Sequence, residues 1–120
     1  MNKSFLLILL ASLFSINCYA GTIQCSGKVA QIGMHANDKI MLRLSSMNRP
    51  VFICSMAERW EVSGTGYKTT IEMCKALYSM FLTAKTTGAE VGDVWMDGDD
   101  ANSCSTFESW KRVNIRHFMF

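Results

Sequence analysis

The chain has 120 residues, a formal net charge of +2 and 49% hydrophobic residues. This length suits one small domain, and the near-neutral charge argues against nucleic acid or an anionic membrane surface as the main partner. Methionine is abundant, and those that sit among other apolar residues are expected to fill gaps in the core. They are Met34, Met41, Met56, Met73, Met80 and Met96.

Residues 1–20 have the pattern of a secretory signal peptide. Lys3 gives a positive start, residues 5–14 are almost continuously apolar, and Cys18-Tyr19-Ala20 supplies the small-x-small cleavage pattern. The apolar run is too short for the roughly twenty residues needed to span a bilayer. We therefore expect cleavage after Ala20 and a secreted or periplasmic protein, residues 21–120, that forms a single domain without a membrane span.

The first part of the exported chain predicts a three-stranded meander. Residues 22–34, interrupted by two glycines, predict a curved first strand. A turn at residues 36–38 precedes the alternating apolar pattern of residues 40–45, which predicts a half-buried second strand. Residues 51–54 predict the third strand.

Apolar residues then recur at three- and four-residue steps over residues 71–82, which indicates an amphipathic helix. Thr69 and Glu72 have the spacing of a capping box at its start. Lys85 and Gly88 mark its expected end.

Two more strands are predicted after the helix. Residues 91–96 predict the fourth strand, residues 97–102 a polar loop, and residues 106–120 the fifth strand. The predicted faces of the last strand are Val113, Ile115 and Met119 on one side and Arg112, Asn114 and Arg116 on the other.

The resulting order, β-β-β-α-β-β, predicts a mainly β fold with one helix. A helix between the third and fourth of five strands is typical of the OB-fold, a partly open Greek-key barrel. In such a barrel the helix plugs one end. An α+β meander packed on one helix has the same order of elements.

Four cysteines remain after residues 1–20 are removed: Cys25, Cys54, Cys74 and Cys104. An even number in a small exported chain predicts two disulfides, and four cysteines allow three pairings. Our hypothesis pairs Cys54 with Cys104, because the strands before and after the helix are expected to end near one another. Cys25 would then bond Cys74 and join the first strand to the helix.

Three short motifs follow one another along the exported chain: Ser26-Gly27-x-Val29, Cys54-Ser55-Met56 followed by Trp60, and Thr86-Thr87-Gly88-x-x-Val91. In this order, over about residues 26–95, they resemble the binding subunit of subtilase cytotoxin and, less closely, that of typhoid toxin. The resemblance implies an exported OB-fold protein with disulfides that forms a homopentamer. It also implies a cell-surface sialylated glycan and a toxin A subunit as partners.

The resemblance assigns glycan binding to two residues. Ser26 matches a serine that contacts sialic acid, and Trp95 occupies the place of an aromatic residue that lines the same pocket. A hydroxyl can bond a sugar carboxylate or hydroxyl, and an aromatic ring can cover the apolar face of a sugar.

The segment after Trp95 departs from that family. Aromatic residues and prolines are expected there, but this chain has Asp97-Gly98-Asp99-Asp100. Carboxylates repel an anionic sugar at short range, so a neutral glycan or a different ligand is an equal expectation. The alternative function is an envelope or secreted interaction protein, an inhibitor or accessory subunit, without sugar specificity.

Other chemistry has weak support in the sequence. Asp97, Asp99, Asp100 and Asn102 supply oxygens of the kind that bind calcium, but they lack the spacing of a calcium loop, so a solvated turn is expected and no metal or cofactor is assigned. His35 and His117 accompany no nucleophile motif, which favours a protein that is not an enzyme.

Two further groups of residues have ordinary structural explanations. Lys111, Arg112 and Arg116 would form a basic face on the last strand, of a kind that some OB-folds use for nucleic acid. Export and the near-neutral charge favour a solvated outer face instead. Trp60 and Trp110 lie at loop–strand junctions and are expected to cover the barrel.

Overall fold

A computed structural model describes residues 21–99 and 103–119, except for the side chain of Asp99. The predicted signal peptide, residues 1–20, lies outside the described residues. The elements follow in the order β1 (Gly21–His35), β2 (Lys39–Leu44), β3 (Val51–Ser55), β4 (Trp60–Glu61), β5 (Lys68–Thr69), α1 (Ile71–Thr87), β6 (Glu90–Asp99) and β7 (Asn114–Phe118). The predicted order of five main strands around one helix is confirmed, and β4 and β5 add a short hairpin before the helix.

The five main strands form one antiparallel sheet with the spatial order β3-β2-β1-β6-β7. Strand β1 is long enough to serve two neighbours, because its N-terminal half pairs with β6 and its C-terminal half with β2. The sheet bends at Gly27, where the pairing register shifts and φ is 118°. A side chain there would meet Ser45 Oγ at 2.1 Å, so the bend requires glycine.

A parallel contact between the two ends of the sheet closes the barrel. The backbone N–H of Phe52 in β3 donates to the carbonyl of Lys111 (2.8 Å), and that of Val113 donates to the carbonyl of Phe52 (2.9 Å). Together with the element order, this closure gives an OB-fold-like Greek-key barrel, as the sequence predicts.

Helix α1 packs its apolar side on the barrel and buries Cys74, Leu77, Phe81 and Ala84. Each large apolar side chain removed from water contributes about 1.5–3 kcal/mol to folding. The largest fully buried side chains are Trp60, Phe81, Phe107, Ile40, Leu42, Leu44, Ile53, Met96, Val51, Val91, Val94 and Val113.

The helix ends where predicted but begins with a different cap. The N-cap is Thr70, whose side-chain oxygen accepts a hydrogen bond from the backbone N–H of Met73 at 3.1 Å. Thr69, predicted as the cap, is buried in β5 and donates to Asn114 Oδ1 at 2.7 Å. The C-cap is Gly88 in the left-handed conformation (φ 69°), as expected.

Two disulfides form, but the predicted pairing is wrong. The bonds join Cys25 to Cys104 and Cys54 to Cys74. The end of β6 lies beside the start of β1, with Asp97 opposite Thr22, and the segment that carries Cys104 reaches Cys25 of β1 rather than Cys54 of β3. Helix α1 instead packs its one cysteine, Cys74, against Cys54 of β3.

The last strand is shorter than predicted and its alternation is broken. Trp95 pairs with His117, but the next residue, Met96, pairs with Ile115, which is a β-bulge. Asn114 is consequently buried rather than outward-facing, and Met119, expected to face inward, is exposed.

The expectation that six methionines fill the core is correct only in part. Met96 is fully buried, and Met41 and Met56 pack partly against the core. The other three are exposed on the surface: Met34, Met73 and Met80.

Candidate functional site

The two residues that the resemblance assigns to glycan binding lie on one outer face of the barrel. Gln24 of β1 stands opposite Trp95 of β6 in the strand pairing. Ser26 is two residues further along β1 and is exposed, so its side chain points to the same side as that of Gln24. Ser26 and Trp95 are therefore diagonal neighbours on this pair of strands, beside the register shift between Cys25 and Gly27.

The backbone around Ser26 is held in place by the bend of β1. Its carbonyl accepts a hydrogen bond from Ser46 Oγ at 2.6 Å. The next residues are fixed as well, since Lys28 N–H donates to Ser45 Oγ at 3.1 Å and Cys25 is in a disulfide. Within residues 21–99 and 103–119, no group bonds the Ser26 hydroxyl, so it can donate to and accept from a ligand.

Trp95 is half-buried and presents its aromatic ring on this face. Its ring stacks on His117 of β7, with centroids 5.2 Å apart and planes at 29°. His117 therefore supports the tryptophan from the neighbouring strand. The other histidine, His35, lies in a different aromatic cluster, so the two are not brought together as a catalytic pair.

Asp97 lies two residues beyond Trp95 on the same strand, and its carboxylate is buried and paired. It accepts hydrogen bonds from Thr22 Oγ1 (2.6 Å) and from Arg116 Nε and Nη2 (2.9 and 3.1 Å). The hydrogen bonds that Arg116 donates to this carboxylate raise the pKa of the guanidinium above its ordinary value. The charge of Asp97 is thus compensated, which weakens the repulsion expected for an anionic sugar.

The rest of the acidic segment is described less fully. The side chain of Asp99, together with Asp100 and Asn102, lies outside the described residues. In the part of the chain that the structure describes, no three metal-binding side chains come together.

The basic residues of the last segment are exposed or partly exposed, and each also contacts a neighbouring side chain. Arg116 is bonded to Asp97 and also lies over the ring of Tyr67, at 5.0 Å. The guanidinium of Arg112 covers Trp60 at 3.9 Å, and Lys111 pairs with Glu108 at 3.5 Å. Each cation therefore has its own local partner.

A second aromatic cluster was not predicted from the sequence. The rings of His35, Phe52 and Trp110 pack against one another with centroids 4.9–5.7 Å apart. Trp110 covers the barrel only in part, because its ring stacks on the buried Phe52 while the residue is 60% exposed. Its polar neighbours, Ser109 and Lys111, were a signal of this exposure. Trp60 does fill the core, and its indole N–H donates to the carbonyl of Val113 at 2.9 Å.

Comparison with protein-family models, with curated proteins and with solved structures gives no match to this chain. Its fold and site define a small OB-fold-like barrel with two disulfides and an outer face that presents a serine and a tryptophan. No helix among the described residues is long and apolar enough to cross a membrane.

Proposed function

We propose that this protein is an exported, non-enzymatic binding module that recognises a cell-surface glycan through Ser26 and Trp95. The observation that carries the proposal is the presence of both side chains on one outer face of adjacent strands. The two disulfides favour a secreted or periplasmic location, since such bonds persist in oxidising compartments. By resemblance, the module works as a homopentamer beside a toxin A subunit.

The chemistry of the face suits a sugar. Trp95 offers an aromatic surface for the apolar side of a sugar ring, and its stacking on His117 holds that surface in one orientation. Ser26 offers a hydroxyl on a strand whose bend is fixed by Gly27. A preformed site of this kind loses little conformational entropy when the ligand binds.

The test is a glycan array with the exported protein and with two variants. Trp95→Ala should weaken binding by about 30-fold or more, because truncating a central aromatic residue typically costs at least 2 kcal/mol. Lys75→Gln, which removes an exposed charge from α1, should bind as the wild type does. Light scattering of the same sample measures the number of subunits, expected to be five.

Two results would contradict the proposal. One is a wild-type protein that binds no glycan on the array. The other is a Trp95→Ala variant that folds normally and binds with unchanged affinity.

The second candidate function is an envelope or secreted interaction protein, an inhibitor or accessory subunit, without sugar specificity. Its support is the exposed apolar surface of α1, where Met73 and Met80 are 54% and 42% exposed. A negative glycan array together with recovery of one stoichiometric protein partner from periplasmic extract would favour this function.

A further inference from the structure

We propose that a second surface, formed around Trp110, binds an acidic oligosaccharide, with the indole stacking on a sugar ring and Arg49 pairing with its carboxylate. The inference rests on the proposed function in treating the protein as a glycan-binding module. It uses different residues, however, and so can fail or succeed separately.

Trp110 is held in a position that the core does not require. Its side chain is 60% exposed and its φ is 64°, a conformation that is costly for a bulky residue. Such strain of about 1–3 kcal/mol persists where the surroundings impose it, and it concentrates at binding sites. Here Phe52 stacks against the ring (25° between planes) and His35 meets it edge-on, so the indole is braced while most of it faces solvent.

The surface around Trp110 can hold an extended ligand. A cavity of about 200 Å³ lies between Trp110, Arg49 and Met41. Trp110 also borders a cavity of about 500 Å³ on its other side, and Met41 borders one of about 370 Å³ beyond. Three adjoining cavities with an indole between two of them fit a chain of sugars better than one compact molecule.

The position of this surface agrees with the ligand-binding face of the fold. OB-folds bind oligonucleotides and oligosaccharides across their second and third strands and the two flanking loops. Met41 lies in β2, Phe52 in β3, His35 at the end of β1, and Trp110 in the connection between β6 and β7.

Arg49 explains why this surface would prefer an oligosaccharide that carries a carboxylate. Its guanidinium donates one hydrogen bond to Ser109 Oγ, and among the described residues no carboxylate forms an ion pair with it. The remaining N–H donors of the planar guanidinium match the geometry of a carboxylate. The acidic neighbour Glu108 is already paired with Lys111, so it does not offset the arginine.

The same features favour a sugar over single-stranded nucleic acid. Nucleic acid needs several exposed rings and a groove lined with cations that follow the phosphates. Of the cations that border these cavities, Lys111 is paired with Glu108, Arg112 covers Trp60 and Lys85 donates to the carbonyl of Ala30. Phe52 is buried beneath Trp110, so the Trp110 ring and the Arg49 guanidinium are left to meet a ligand. That pair matches one sugar ring with one carboxylate.

The experiment follows the indole N–H signals of ¹⁵N-labelled exported protein by NMR. The protein has three tryptophans, so Trp60, Trp95 and Trp110 can be assigned with single Trp→Phe variants. The probes are sialyllactose and a glucuronic acid oligomer, with lactose as the neutral comparison and oligothymidylate as the nucleic acid. Arg49→Gln is compared with Lys75→Gln, which removes an exposed charge from α1.

We expect an acidic probe to shift the Trp110 signal and lactose to bind more weakly. Arg49→Gln should weaken the acidic probe roughly 10- to 100-fold, as for loss of a charged hydrogen bond, while Lys75→Gln leaves it unchanged. The inference is overturned if Arg49→Gln binds as the wild type does, if only oligothymidylate shifts Trp110, or if no probe does.

The outcomes separate this inference from the proposed function. A shift of Trp95 alone would overturn the second surface and support the first. A shift of Trp110 alone would support the second surface and count against Ser26 and Trp95. The Trp95→Ala variant on the glycan array is a separate test of the proposed function.

Discussion

At the scale of single residues, Gly27 decides whether β1 can bend and present Ser26. Its φ of 118° suits glycine, and an added Cβ would lie 2.1 Å from Ser45 Oγ. That oxygen already accepts a hydrogen bond from the N–H of Lys28. The candidate glycan site therefore depends on a residue that contacts no ligand.

We predict that Gly27→Ala lowers the free energy of unfolding by at least about 2 kcal/mol, from backbone strain and the clash together. Gly33→Ala is the matched control on the same strand, because nothing lies within 4 Å of an added Cβ there. Urea denaturation of both variants measures the difference. Equal stabilities would show that the bend does not need glycine.

At the scale of the elements, the sequence predicted the helix and the turns that are determined by a local pattern of residues. The helix over residues 71–87 has a 3.6-residue apolar repeat and a glycine C-cap, and the turn at Asn37 and Asp38 has residues that tolerate positive φ. The hairpin of β4 and β5 was missed because two-residue strands carry no period. The bulge beside Ile115 was missed because it follows from pairing with β6.

The start of the helix gives a test at this scale. Thr70→Ala should lower the free energy of unfolding by about 1 kcal/mol, since it leaves the backbone N–H of Met73 without its capping oxygen. Thr86→Ala, at an exposed position in the last turn, is the comparison and should change stability little. Thermal and urea denaturation report both. A Thr70→Ala protein as stable as the wild type would argue against this cap.

At the scale of the whole molecule, the disulfides and the second aromatic cluster could not be read from the sequence. The cysteine count predicted two bonds, but their partners depend on which ends of the barrel meet. Cys25 and Cys104 are 79 residues apart, so no local pattern connects them. Likewise, Trp110 meets His35 and Phe52 only through the closure of the barrel.

The pairing predicts unequal contributions to stability. Cys25–Cys104 closes the longer loop and should stabilise by about 4.5 kcal/mol, against about 3 kcal/mol for Cys54–Cys74, whose cysteines are 20 residues apart. Non-reducing peptide mapping checks the pairing, and denaturation of each double Cys→Ala variant checks the order. Recovery of a Cys54–Cys104 peptide would contradict the structure.

The double role of β1 has a consequence for how the barrel comes apart. One half of this strand is hydrogen-bonded to β6 and the other half to β2. Without β1, both β6 and β2 would have backbone groups that lack their hydrogen-bond partners. Loss of β1 from the assembly exposes the backbone amides of both neighbours to exchange at once. The barrel should accordingly melt as a single cooperative unit, with no half-folded form that keeps one ligand surface and loses the other.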